Sequence, residues 1–212
     1  MSERASGERR AQRLRLTLVR HGETAGQSSI RYYGRTDVPL SAAGREQMRR
    51  VGVALADRRF RVAYTSTLAR STEAARIVTT GIPVIAVAEF DEIDFGEWEG
   101  LTAEEIQARH PALFAQWGLR RSDFQYPGGE SSRVFRTRVT AALHHHLAQS
   151  QVDELLFVLH KGVMRSILAE LLGEDEVQRC RLSIDLGSIH VLVRADDRWT
   201  AEFLDDTAHL GG

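Results

Sequence analysis

The residues with the clearest chemical potential lie in a few short segments. Leu18-Val19-Arg20-His21-Gly22-Glu23-Thr24 sets a histidine beside an arginine and follows it with a glycine, past which backbone can approach a ligand closely. A histidine ring nitrogen is nucleophilic at neutral pH when the other nitrogen is held protonated by a carbonyl. Taken alone, the segment reads equally well as an arginine paired with a surface carboxylate and a histidine capping a loop. Residues 64–73 add Arg70 near a helix start, where backbone amides and the dipole favour an anion. Val158-Leu159-His160-Lys161-Gly162 adds a second histidine at a strand end. Residues 89–100 carry carboxyl groups flanked by aromatic side chains, an environment that raises a carboxyl pKa toward acid and base duty.

Two histidines, two arginines and a carboxyl form a coherent set for phosphoryl transfer, where positioning and neutralisation of the transferring oxygens do most of the work. They do not read as a metal site. His21 and His160 lack an i, i+4 ligand partner, and the guanidinium beside His21 would repel a cation. His144-His145-His146 points in three directions on a helix and cannot converge on one ion, so it reads as a solvated face.

These segments must be carried to one place by the elements around them. Residues 14–19 form an apolar, β-branched run that stops at Arg20, and residues 61–65, 82–88 and 155–159 read as further strands. Helices are expected behind Ser41 with Met48, Val51 and Leu55 at helical spacing, over 68–80 with Gly81 as terminator, in a short piece opened by Thr102 and Glu105, and over 131–149. Met164, Ile167, Leu168, Leu171 and Leu172 form an amphipathic stripe closed by Gly173, and residues 189–193 and 199–204 form a final hairpin. Strands alternating with helices imply an α/β class, a three-layer α/β/α fold with a mostly parallel central sheet, and ligands beyond the carboxyl ends of its strands. Arg20, His21, Arg70 and His160 all fall at that rim.

With 212 residues and 42% apolar composition, the expectation is a flexible arm over 1–13 and a single domain over 14–212. Lysine plus arginine (28) nearly balances aspartate plus glutamate (29), so no overall field draws the chain to nucleic acid or to a membrane. No run approaches the roughly 18 apolar residues of a membrane span. One cysteine, Cys180, excludes an internal disulfide framework, and the natural compartment is the cytoplasm. A homodimer is compatible with the sequence and not specified by it.

The chain resembles the histidine phosphatase superfamily, in the branch of phosphoglycerate mutases and broad-specificity phosphatases, from residue 14 to 193. Arg20 to Thr24 stands as the Arg-His-Gly-Glu-Thr signature and Ser66 to Arg70 as the Ser-x-Leu-x-Arg element, and residues 92–100 follow a pattern shared with alpha-ribazole phosphatases. The resemblance implies that His21 becomes phosphorylated, that Arg20, Arg70 and His160 bind the phosphoryl oxygens, and that Glu92 is the proton donor, with Glu89 as the fallback. Pro127-Gly128-Gly129-Glu130-Ser131 also resembles a family segment. No metal or organic cofactor is implied.

Two departures stand out. Gln27 occupies the place of an asparagine that bonds the phosphate, with Ser28 beside it, and Lys161 replaces the usual glycine after the second histidine. Substrate contacts are expected from Gln27, Ser28, Arg31, Gly34 and Lys161, with Arg120 and Arg121 as further candidates for a second anion. The expected function is hydrolysis of a small phosphate monoester through a phosphohistidine. The alternative is a phosphoglycerate mutase using the same intermediate. A non-catalytic sensor would lack the nucleophile or the donor, and both are present.

Overall fold

The computed structural model describes residues 14–119, 123–196 and 198–211. The expected N-terminal arm, Arg120, Arg121 and Asp197 lie outside them.

The strand β1 (Leu14–Arg20) is central to a six-stranded sheet. It pairs in parallel with β4 (Glu154–Leu159), and β4 pairs in parallel with β2 (Ala63–Thr65), which is flanked by β3 (Val84–Ala86). On the other side β1 pairs antiparallel with β5 (Ile189–Ala195), and β5 with β6 (Arg198–Asp206). The strand order is therefore β3-β2-β4-β1-β5-β6.

The period of two along these strands builds both faces. Leu14, Leu16, Leu18, Leu155, Phe157 and Leu159 join one buried cluster with residues of α5 (Ser132–Gln149) and α6 (Lys161–Leu172). Val19, Leu156 and Val158 join the opposite cluster with residues of α1 (Ala42–Ala54) and α2 (Ala69–Val78). Each fully buried aliphatic side chain contributes about 1.5–3 kcal/mol, so both layers are secured on the sheet. The mixed α/β, three-layer expectation holds. Ser41 caps α1 by accepting from the Gly44 amide, and Thr102 and Glu105 close a capping box on α3 (Ala103–Arg109).

Several boundaries differ from expectation. β3 covers only three of the seven expected residues, because it lies at the sheet edge with a three-residue partner. α2 ends at Val78, with Thr79 already extended and Gly81 in the turn beyond. Two helices were not anticipated. α4 (Pro111–Gly118) begins at a proline, which breaks a helix from inside but suits its first turn. α7 (Glu174–Arg179) follows Gly173 directly, with three acidic residues favouring its N-terminus. Among the described residues no helix is long and apolar enough to cross a membrane.

Candidate active site

Sheet register brings the histidines together. β1 and β4 run parallel with Arg20 opposite Leu159, so His21 and His160, one residue further on each, emerge side by side. The His21 amide donates to the Leu159 carbonyl at 3.0 Å, and the two rings meet edge to face with centroids 5.1 Å apart. Thr65 lies opposite Val158, so Ser66 follows at the same rim and its Oγ sits 2.7 Å from His160 Nε2. Arg70, in the first turn of α2, donates from Nε to His160 Nδ1 at 3.3 Å. That nitrogen is therefore the acceptor, and His160 carries its proton on Nε2, toward Ser66. Glu92 approaches from the loop after β3. His21, Arg70, Glu92 and His160 are 4%, 1%, 6% and 1% exposed, a concentration of polar groups that only function or full bonding explains.

Each group is held in a usable state. His21 Nδ1–H donates to the Gly22 carbonyl at 2.7 Å, leaving Nε2 as a lone-pair donor. Burial, then the charges of Arg70 and Arg20, hold the His21 pKa well below the ordinary histidine value, and burial and Arg70 do the same to His160. Both rings are neutral at pH 7. Burial raises the Glu92 pKa against the Ile93 and Gly162 amides, which donate to its carboxylate at 2.9 and 2.8 Å. Burial pulls the Arg20 guanidinium down to about 10, still charged at neutral pH.

The two arginines hang from carbonyls. Arg70 donates to Thr36 at 2.9 Å, Tyr33 at 3.3 Å and Gly34, and Glu99 secures that loop from beneath by accepting from the amides of Gly34, Arg35, Thr36 and Phe95. Arg20 donates to the Ile184 carbonyl at 2.8 Å. Ile184 stands at φ 50, a conformation a β-branched residue keeps only under constraint. The constraint is Asp205, whose carboxylate accepts from the Ser183 amide and hydroxyl and from the Ile184 and Asp185 amides. Among the described residues neither guanidinium has a carboxylate within ion-pair distance, and the buried Arg20 Nε has no protein partner. Their charge is left for an anion.

The other expected residues stand in varied settings. Gly22 serves helix packing, since a Cβ there would lie 2.5 Å from the Gly44 carbonyl of α1. The α2 amide of Ala69 is bonded to Asp37 at 2.8 Å and the α6 amide of Gly162 to Glu92, so those helix starts hold carboxylates of the chain itself. Ser28 turns to Glu23 at 2.9 Å. Arg31 is tied to the Gly100 carbonyl at 2.7 Å and to Glu105 at 2.9 Å, so it is not free for a second anion. Gly34 leaves no room for a side chain, because a Cβ there would fall 1.7 Å from the Ile93 carbonyl, and its own carbonyl accepts from Arg70. Gln27 is exposed in a left-handed turn at φ 63, which suits asparagine better than glutamine. Lys161 is exposed, and partial burial and then the Arg20 charge lower its pKa. Glu89 is exposed, unlike Glu92. Trp98 is fully buried among Phe114, Trp117, Phe124 and Tyr126. His146 packs on Tyr64 and Phe90 and His144 pairs with Glu170, so one of the three histidines turns inward. Among the described residues no group of three or more His, Cys, Asp or Glu could hold a metal ion.

Residues 16–207 match the histidine phosphatase superfamily (branch 1). The chain belongs to that superfamily. It is 30% identical over 199 residues to a Bacillus subtilis protein called the uncharacterized phosphatase PhoE, covering 92% of this chain and 96% of that one. It is 28% identical over 220 residues to a 2,3-bisphosphoglycerate-dependent phosphoglycerate mutase of Gloeobacter violaceus, covering 85% and 94%. A crystal structure of a putative alpha-ribazole-5'-P phosphatase from Escherichia coli superposes with a TM-score of 0.82 at 26% identity, covering 91% and 96%. This histidine phosphatase family member is an enzyme of the phosphoglycerate mutase-like group. Ser66, Gly162, Glu99 and Asp205 had no role assigned from sequence; Ser66 alone carried a signal, its place in the Ser-x-Leu-x-Arg element.

Proposed function

We propose that this enzyme hydrolyses a phosphate monoester of a small metabolite in two steps at His21. His21 Nε2 attacks phosphorus, the P–O bond to the alcohol breaks, and Glu92 gives its proton to the leaving oxygen. Glu92, now ionised, takes a proton from water; the hydroxyl attacks phospho-His21, the P–N bond breaks, and inorganic phosphate leaves with both residues restored. Arg20 and Arg70 stabilise charge on the phosphoryl oxygens throughout, and His160 joins them when a phosphoryl oxygen replaces Ser66 Oγ as the acceptor of its Nε2–H. The reading rests on one observation above all: a buried neutral histidine with Nδ1–H fixed on a carbonyl, beside two guanidiniums that, among the described residues, no carboxylate pairs with directly, and a buried carboxyl with a raised pKa.

Hydrolysis is favoured over the mutase alternative by the thin cover near the site. Between the donor loop and Glu130, α3 and α4 are short and α4 packs on the core only through the half-buried Leu113, Phe114 and Trp117, whereas a mutase must keep water from its phosphoenzyme. All strands share one sheet, which supports a single domain over 14–212, and the exposed, unbridged Cys180 suits a reducing compartment.

The test is acid-labile phosphate trapped on the wild type in excess chelator, lost together with turnover in His21→Ala. A variant keeping a tenth of the rate removes His21 from this role. With 3-phosphoglycerate primed by the bisphosphate, phosphate release is expected to exceed isomerisation. Isomerisation faster by tenfold, about 1.4 kcal/mol in competing barriers, identifies a mutase.

A further inference from the structure

The Glu92 side chain is held by two amides, but its backbone is held by a residue the reaction itself does not use. Arg138 projects from α5 to the loop at residues 89–92. Its Nη1 donates to the carbonyls of Glu89 at 2.7 Å and Asp91 at 2.8 Å, and its Nη2 reaches the carbonyl of Glu92 itself at 3.4 Å. Glu130 takes the remaining two N–H groups in a fork, Oε1 from Nε and Oε2 from Nη2, each at 2.8 Å. All five guanidinium donors are thereby bonded, an arrangement an ammonium cannot reproduce. The guanidinium also lies over the Phe135 ring, 4.8 Å from its centroid.

Glu130 is fixed in turn by close backbone packing. Its amide donates to the Asp94 carbonyl at 2.9 Å, and the Glu97 amide donates to the Pro127 carbonyl at 2.8 Å. Such an approach requires glycines on both sides: a Cβ on Gly129 would lie 2.3 Å from the Asp94 carbonyl, and one on Gly96 2.2 Å from the Pro127 carbonyl. The loop is triangulated from the far side by Asp91, whose carboxylate accepts from the amide and hydroxyl of Thr67. The Pro127-Gly128-Gly129-Glu130 segment thus has a physical purpose that its sequence did not state. It delivers a carboxylate to an arginine that grips the backbone of the donor loop.

We propose that Arg138, oriented by Glu130, is a positioning residue for the proton donor. This rests on Glu92 being that donor. Arg138 touches neither substrate nor reacting atoms; it sets where the Glu92 carboxyl stands relative to the leaving oxygen. A misplaced donor harms esters whose alkoxide needs a proton and spares those with a stabilised leaving group.

The experiment compares an alkyl and an aryl phosphate in Arg138→Met, Glu130→Gln, Glu92→Gln and the Arg138→Met/Glu92→Gln double variant, each checked for a native thermal transition. Arg138→Met is expected to lower kcat on the alkyl ester by roughly thirtyfold with KM changed less than about threefold, to lower the aryl rate far less, and to cost less than about threefold once Glu92 is already glutamine. Glu130→Gln, which keeps volume and one acceptor, should show the same selectivity at a smaller size and serves if Arg138→Met does not fold. Arg138→Lys should not rescue. Equal losses on both esters, or losses that multiply in the double variant, overturn the positioning role while leaving Glu92 as donor. If Glu92→Gln itself shows no selectivity for the alkyl ester, the donor assignment falls and this proposal falls with it.

Discussion

At the phosphoryl end of the site, His21, His160, Arg20 and Arg70 stand at strand ends or a helix start and are bonded to backbone carbonyls or to Ser66. At the end facing residues 101–131, two short helices and a set of rings pack on one another: Tyr32 on Phe95 and Trp117, Phe95 on Tyr126, with Trp117 Nε1 donating to the Tyr126 hydroxyl at 2.8 Å. The first region is organised by register and hydrogen bonds, the second by apolar contact. The difference fits their tasks. A phosphoryl group is the same in every monoester and rewards rigid, directional donors, whereas the leaving alcohol varies and its surroundings need only shape and burial. Polar groups at the phosphoryl end lock one another, so changes there propagate; the rim tolerates substitution.

The sharpest break in that contrast is Gly162→Ala. A Cβ would stand 2.4 Å from Glu92 Oε1, so the carboxyl must shift against the α6 amide that holds its other oxygen. Alkyl-ester turnover should fall about a hundredfold, comparable to losing the donor. Undiminished turnover would show that the Glu92 position is not critical. In the wild type, burial raises the Glu92 pKa, so the donor stays protonated beyond the ordinary carboxyl range and is lost as pH rises through its own value. Alkyl-ester kcat should therefore fall on the alkaline side, and Glu92→Gln should abolish that limb; a limb that persists belongs to another group.

A smaller effect is expected one layer out. Asp205→Asn weakens the acceptor that keeps Ile184 in its strained conformation under Arg20, and should reduce kcat/KM roughly tenfold, with vanadate affinity falling in proportion. Vanadate affinity unchanged while turnover drops would exclude action through Arg20. The smallest effect belongs to the rim. Arg31 is about a third exposed and paired with Glu105, so Arg31→Ala should change kcat/KM less than about threefold and stability by under about 1 kcal/mol. A tenfold loss confined to doubly anionic substrates would return Arg31 to the substrate.

The five residues proposed for the chemistry could be picked out because strand-end histidines, two arginines and a carboxyl among aromatics are local patterns, and alternation of strands and helices implies a common rim. Ser66, by contrast, acts through a residue 94 positions away, and Asp205 through a loop held twenty positions upstream. Neither separation leaves a period or spacing to read. The partners of Gly34 and Ser28 were not legible for the same reason: only packing reveals Ile93 against one and Glu23 against the other.

The sequence by itself determined most element types, the layering and which groups are proposed to react, since hydrophobic period, capping residues and chemical type reside in a few adjacent positions. Tertiary structure alone decided which groups are neutral, which arginines remain unpaired, and which backbone segments hold them. Those properties arise from burial and from hydrogen bonds closed across the sheet, where the local dielectric and the partner atom are set by residues far away in the chain.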